Sequence, residues 1–340
     1  MSKVLVTGSE GFIGGYVVKQ LLDNNHEVIG IDNFSKYGKI ERDHSNHKKF
    51  TLIEGDVKDA DLMYDAMKDC EFLIAGAAMI GGISYFHEFA YDLLSENEKI
   101  ISTTTDIAIK KYLEGSLKRV VFLSSSMVFE STNTFPTKEK DLYKTPPPIS
   151  SYGFQKLSVE YFARAANKQY GLEYSIARPF NAVGIGELKT VSDKKLSKNS
   201  QDLLLSHVVP DLILKILSSD KPVEILGKGN QVRHYTYGGD LAKGIVLLLT
   251  HPNAKNDDFN ISTDVSTTVL ELAEIIWNKL RPEKEFKYTT LESFEYDVQK
   301  RIPSVDKAFN LLNYKADTTL SQMLDKVIPW MIKAKEQKLY

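Results

Sequence analysis

The sequence predicts an α/β fold built on a doubly wound parallel sheet, on three observations. Short apolar runs alternate with helical stretches through roughly the first half of the chain. Gly8, Gly11 and Gly14 follow the first apolar run at three-residue spacing. The second run then ends on an acid, Asp32, 18 residues after Gly14.

Each element has its own warrant. Lys3 to Thr7 reads as a buried strand, and Ile13, Val17, Leu21 and Leu22 mark the inward face of a helix. His26 to Asp32 reads as the second strand, which completes a βαβ unit. At its turn the first glycine permits a tight bend, the second lets a pyrophosphate approach the backbone, and the third lets helix and sheet pack closely. The helix start then offers free N–H groups and a positive dipole end to the phosphates. Phe50 to Glu54 leads into Gly55-Asp56-Val57, and Phe72 to Ala75 is a fourth strand. A helical stretch from about Phe89 to Gly115 precedes the strand Arg119 to Leu123. Pro146-Pro147-Pro148 ends a loop, after which Ser150 or Ser151 caps the helix Tyr152 to Tyr170. The strand from Glu173 closes at Pro179.

Beyond Pro179 the pattern changes. Residues 187–202 are polar and charged, and read equally as a loop over a site or as a solvated insertion. A helix with an internal proline spans His207 to Ser218. Gln231 to Tyr237 reads as a strand, Asp240 to Leu249 as a helix and Phe259 to Ile261 as a strand. Helices near Val269–Leu280 and Leu320–Ala334 complete the pattern. The expected division is a dinucleotide-binding domain over 1–178 plus about 231–262. A smaller substrate domain is expected over about 179–230 plus 263–340.

Composition narrows the function. The chain has 340 residues, 42% hydrophobic and 26% charged, as in an ordinary soluble enzyme. A net charge of −2 offers no broad basic field for nucleic acid or an anionic membrane. The single cysteine, Cys70, rules out an internal disulfide and a cysteine cluster, and reads as structural. The apolar, glycine-rich stretch Phe72 to Ile83 is too short to span a bilayer. A first strand beginning at Lys3 leaves no room for a signal peptide, so a cytoplasmic protein is expected. His26, His44, His47, His87, His234 and His251 show no metal spacing, and no metal is expected.

The chemistry concentrates after the fifth strand. Ser124-Ser125-Ser126 ends that strand, and Tyr152…Lys156 opens the helix after the proline loop. The four-residue spacing puts phenol and ammonium on one helix face, where the charge favours tyrosinate and a base near neutral pH. Tyr64…Lys68 and Tyr296…Lys300 share the spacing. Only the copy at Tyr152 follows a serine-bearing strand end at the carboxyl edge of the sheet, where such folds bind ligands.

These motifs, with Ala75-Gly-Ala-Ala78, Leu123-Ser-Ser-Ser-Met-Val-Phe129, Arg178-Pro-Phe-Asn-Ala-Val-Gly184 and Arg233-His-Tyr-Thr-Tyr-Gly-Gly-Asp240, carry a resemblance that spans nearly the whole chain. The sequence resembles extended short-chain dehydrogenase/reductases of the NAD-dependent epimerase/dehydratase family. The resemblance implies a Rossmann fold, NAD, and a nucleoside-diphosphate sugar as substrate. It implies cofactor contacts from Gly8, Gly11, Phe12, Ile13, Gly14, Asp32, Asn33, Asp56, Val57, Ala77, Ala78 and Pro179, with Asp32 on the adenosine ribose. It implies a triad of Ser125, Tyr152 and Lys156. Tyr152 takes the sugar 4-hydroxyl proton, Ser125 bonds the same oxygen, and Lys156 bonds the nicotinamide ribose and lowers the Tyr152 pKa. Substrate contacts are implied at Ser125, Ser126, Met127, Asn181, His207, Val208, Arg233 and Arg301. Asn181, Arg233 and Arg301 would hold the diphosphate. Related enzymes pair the helices carrying Leu93, Ile100, Ile101, Ile107, Leu157, Tyr161 and Phe162 across a two-fold axis, so a homodimer is expected.

Departures from the pattern bear on the reaction. The family's 4,6-dehydratases carry an Asp-Glu pair, and its decarboxylases a Glu, where this chain has Ser126 and Met127. Met127 cannot move a proton. Ala78-Met-Ile-Gly-Gly-Ile83 and Ser206-His-Val-Val-Pro210 are similar to fucose-synthase-like epimerase-reductases and 3,5-epimerases, which carry a cysteine at the Met127 position. His207 matches the histidine acid of the fucose synthases. Ala75 stands where many members have histidine, and Val183 replaces a frequent tyrosine, which widens the sugar site. The expectation is inversion at C4. An epimerase-reductase or 4-oxidase, a 4,6-dehydratase, and a silent NAD or sugar-nucleotide sensor are the alternatives.

Overall fold

The computed structural model describes residues 1–80, 89–188, 207–292, 298–337 and 339. Strand β1 (Lys3–Thr7) runs through α1 (Phe12–Asp23) into β2 (Glu27–Asp32). Next come β3 (Phe50–Glu54), α2 (Ala60–Ala66), β4 (Phe72–Ala75), α3 (Ala90–Leu113) and β5 (Arg119–Leu123). Helix α4 (Ser151–Tyr170) and β6 (Tyr174–Pro179) follow. The rest holds β7 (Ala182–Val183), α5 (Val208–Ser218), β8 (Val223–Leu226), β9 (Val232–Arg233), β10 (Thr236–Tyr237) and α6 (Gly238–Thr250). It ends with β11 (Asp257–Ile261), β12 (Thr267–Thr268), α7 (Val269–Leu280), β13 (Tyr288–Leu291), α8 (Asp306–Leu312) and α9 (Leu320–Glu336).

Seven parallel strands form the sheet in the order β3-β2-β1-β4-β5-β6-β11. This is the doubly wound Rossmann order with one strand added, and the order reverses between β1 and β4. Alternate residues of β1 enter opposite layers. Val4 and Val6 pack with Val17 and Leu21 of α1 and with Ile245 and Leu248 of α6. Leu5 packs with Met63 of α2, Ile101 and Ala108 of α3, and Val159 and Ala163 of α4. Each large apolar side chain buried this way contributes about 1.5–3 kcal/mol. A third apolar cluster joins Leu212 and Ile216 of α5, Val223 and Ile225 of β8, Ile276 of α7, and Met323 and Val327 of α9.

Local chemistry explains the element ends. Ser150 is the cap of α4: its hydroxyl accepts from Gly153 N at 3.0 Å. Pro210 sits in the first turn of α5, where an N–H has no helical acceptor. Cys70 is buried, and burial pushes its thiol up to about 11, as suits a packing residue.

The stretch Gln231 to Tyr237 is not one strand. Its first half, β9, pairs antiparallel with β12, while β10 pairs parallel with β7. The backbone changes partners between them: Val232 N donates to Gln299 O, and Thr236 N to Asn181 O. The pairing of β8 with β13 was not anticipated. Leu93 is buried, and Ile101 and Ile107 pack into the core beside the sheet. The exposed apolar side chains of α3 and α4 include Tyr91, Phe154 and Tyr161. The polar stretch expected over 187–202 falls, from residue 189 on, outside the described residues, as do Gly81 to Ile83, Ser206 and Tyr296. Among the described residues no helix is long and apolar enough to cross a membrane.

Candidate active site

One cavity of about 980 Å³ opens along the carboxyl ends of β1, β2, β4, β5 and β6. Every residue that the sequence assigned to cofactor, catalysis or substrate borders it. The sheet puts them there because parallel strands bring all their carboxyl ends to one edge.

The dinucleotide cradle lies between β1 and α1. Gly8 has a φ of +72°, and a Cβ there would stand 2.9 Å from Ala77 Cα. A Cβ on Gly14 would stand 1.9 Å from Gly8 O, so the turn closes only without side chains. Gly11 caps α1 in extended geometry without a side chain, which leaves the first-turn N–H groups clear for phosphate. Thr7 Oγ1 accepts from Gly76 N and Ala77 N, both at 3.1 Å, and joins the ends of β1 and β4 across the switch point.

Asp32 is fixed by its own backbone surroundings. Its carboxylate accepts from Glu10 N at 2.9 Å and from Phe34 N at 2.8 Å. Burial raises its pKa, and those two N–H groups pull it back. Asn33 Nδ2 lies 3.5 Å from Asp56 Oδ2, so these two expected cofactor contacts are neighbours.

The three catalytic candidates converge. Tyr152 and Ser125 share a side-chain hydrogen bond, and Lys156 Nζ donates to Leu123 O at 3.0 Å. The ammonium lies 6.0 Å from the Tyr152 ring centroid. Burial raises the Tyr152 pKa, opposed by the Ser125 hydrogen bond and the Arg301 charge. Burial lowers Lys156 to about 8. Its ammonium is engaged by Leu123 O, and Arg301 is the cation whose field reaches Tyr152.

Substrate candidates ring the far side. Met127 is buried beside Ser126 on a short 3₁₀ turn, Ser126–Phe129, capped by the Ser125 hydroxyl. Asn181 Nδ2 donates to His234 O at 3.4 Å, and Arg233 Nη1 to Val232 O at 3.0 Å. Arg301 N donates to Val232 O, which brings both arginines to one place. His207 Nδ1 is bonded to the buried Glu187, whose pKa is lowered: burial raises it, and the charge and hydrogen bonds of His207 together with the Lys36 charge more than offset that. Tyr64 borders no part of this cavity; its hydroxyl donates to Glu114 at 3.0 Å, so that Tyr-x-x-x-Lys copy is structural.

Sequence reasoning missed several supports. Behind the site, Arg178 is fully buried and bonds Glu160 through Nε at 2.6 Å and Nη2 at 2.7 Å. Ser124 Oγ donates to the same Glu160 at 2.7 Å. Tyr16 on α1 accepts from Ile185 N at 2.7 Å, and Arg42 donates to Glu10 O in the glycine turn. Glu130 also borders the cavity, and its Oε2 accepts from Ser150 N and Oγ. Arg178 and Glu160 are charges inside apolar elements, which signals pairing but not the partner.

Comparison with known proteins agrees with this geometry. Residues 4–262 match the model of the NAD dependent epimerase/dehydratase family. A protein of Methanocaldococcus jannaschii called "Putative UDP-glucose 4-epimerase" is 30% identical over 331 residues, covering 96% of this chain and 98% of that one. The solved UDP-glucose 4-epimerase of Thermotoga maritima with UDP-glucose is 26% identical, with a TM-score of 0.80 over 98% of this chain and 99% of that one. The UDP-N-acetylglucosamine 4-epimerase of Methanobrevibacter ruminantium, in complex with UDP-N-acetylmuramic acid, is 27% identical, with a TM-score of 0.82 over 98% of both chains.

Proposed function

The chain belongs to the NAD-dependent epimerase/dehydratase family, and from that premise we propose that it inverts C4 of a nucleoside-diphosphate sugar through a transient 4-keto sugar. One observation carries the choice of reaction. The Ser125–Tyr152 pair stands beside the dinucleotide cradle, and the neighbouring position that would need an acid or base holds the thioether of Met127.

Bound NAD supplies the hydride acceptor and donor for C4. Gly8, Gly11 and Gly14 would admit its pyrophosphate, Asp32 would take the adenosine ribose hydroxyls, and Asp56 and Val57 would border the adenine. Tyr152 accepts the proton of the 4-hydroxyl, with Ser125 bonding the same oxygen. Burial raises the Tyr152 pKa, and the Ser125 hydrogen bond and the Arg301 charge pull it back toward the form that accepts a proton. Arg233 and Arg301, with Asn181, hold the diphosphate. The keto sugar would then turn over and present its other face to the cofactor, and Tyr152 would return the proton. The short side chain of Val183 leaves room for that rotation.

A second reading, an epimerase-reductase or 4-oxidase, is favoured by His207, which Glu187 holds at the cavity wall. It would consume or release free reduced cofactor. A dehydratase is disfavoured by Met127, and a silent sensor by the assembled triad. The separate apolar cluster of α5, β8, α7 and α9 supports a smaller substrate domain beside the cofactor domain. The exposed Tyr91, Phe154 and Tyr161 support a homodimer through α3 and α4. We place the protein in the cytoplasm on family grounds.

Tyr152→Phe tests the assignment. Turnover of the preferred nucleotide sugar should fall roughly 10²–10⁴-fold with NAD binding kept. Unchanged turnover would refute it.

A further inference from the structure

We infer that Glu130 makes the sugar end of this cavity selective for uncharged sugars with hydroxyl or amide donors, and against uronic acids. The inference rests on the nucleotide-sugar reading above.

Glu130 ends the short turn that begins at Ser125, and its N–H donates to Met127 O at 3.1 Å. Its side chain reaches the start of α4. Oε2 accepts from Ser150 N at 3.1 Å and from Ser150 Oγ at 2.8 Å. The same oxygen lies 2.8 Å from where a Cβ on Gly153 would stand, so the carboxylate is pressed against the turn that carries Tyr152. Helix capping uses one oxygen of the two. Glu130 borders the cavity together with Ser125, Met127 and Tyr152. The carboxylate thus lies at the reacting end, while Arg233 and Arg301 supply the positive charge.

Chemistry follows from this polarity. A carboxylate accepts from hydroxyl and amide N–H groups and donates nothing. A sugar hydroxyl or N-acetyl amide gains an acceptor there. A sugar carboxylate at this end of the cavity meets a like charge. At an effective dielectric of about 20, repulsion between unit charges within about 10 Å amounts to tenfold or more in affinity. The substrate therefore carries its negative charge at the diphosphate and none on the sugar.

Calorimetric titration of the NAD-loaded protein with UDP, UDP-glucose and UDP-glucuronate tests this, in wild type and Glu130→Gln. Glutamine keeps an acceptor for Ser150 and removes the charge. Wild type should bind UDP-glucose at least about tenfold more tightly than UDP-glucuronate. The variant should narrow that ratio to about threefold or less by gaining uronate affinity, with UDP affinity unchanged. Equal or stronger uronate binding by wild type would overturn the inference without any variant. A ratio that Glu130→Gln leaves unmoved would overturn it too, with the nucleotide-sugar reading intact. Failure of all three ligands to bind would overturn both.

Discussion

Arg178→Met should destabilise the protein by about 3–5 kcal/mol, the usual cost of removing one partner of a buried ion pair. Arg178 and Glu160 side chains are both 0% exposed, and the guanidinium meets the carboxylate as a fork at 2.6 and 2.7 Å. Methionine fills similar space but leaves the Glu160 charge in the core. Relief comes from Ser124 Oγ at 2.7 Å and from Arg164 Nη1 at 3.0 Å, which places the loss toward the lower end. For a chain of 340 residues the melting point should fall by roughly 4–7 °C. Asp258 shares the network. Burial pushes it up, but Arg178, Lys307 and Arg164 hold it at about 2 instead of 3.8. Because its folded pKa is depressed, the stability it contributes is present above about pH 4 and is lost as pH falls toward 2. Without Arg178 the acid transition should move to higher pH. Urea titration of wild type, Arg178→Met and Arg178→Met/Glu160→Leu reads all three. The double variant should recover part of the single variant's loss, since no charge is stranded. A single-variant cost below about 1 kcal/mol, or a strictly additive double variant, would refute the reasoning.

Lys156→Met should gain on wild type in the absence of NAD, since burial lowers the lysine from 10.5 to about 8. Below pH 8 wild type bears the whole cost of the buried charge, and above 10.5 none, so the variant's relative stability should drop by about 3 kcal/mol between pH 7 and pH 11. A pH-independent difference in melting would contradict it. Light scattering at micromolar concentration should give a homodimer, and a monomer would remove the role assigned to Tyr91, Phe154 and Tyr161.

What was legible in the sequence was local. Gly8, Gly11, Gly14 and Asp32 fall in one βαβ unit, where spacing alone implies the turn, the helix start and the acid at the strand end. Tyr152 could be separated from Tyr64 because sheet topology places only one of them at the ligand edge. Partnerships across the fold were not legible. Nothing in Val223–Leu226 or Tyr288–Leu291 shows that these short strands pair with each other. The run Gln231 to Tyr237 alternates like a strand, but alternation does not reveal that its halves pair with different neighbours. Arg178 and Glu160 lie 18 residues apart on a strand and a helix, and only packing brings them together. Glu130 was passed over because its position after Phe129 gives no hint that its side chain turns toward Ser150.

The central claim, inversion at C4 with no acid or base for neighbouring carbons, is tested most directly by isotope exchange. The NAD-loaded enzyme is incubated with its preferred nucleotide sugar in heavy water, and the products are read by NMR. The account predicts a C4 epimer with no deuterium at C3 or C5, because Met127 moves no proton. Deuterium at C5, a 6-deoxy-4-keto product or released carbon dioxide would contradict it and make His207, held by Glu187, the first residue to examine.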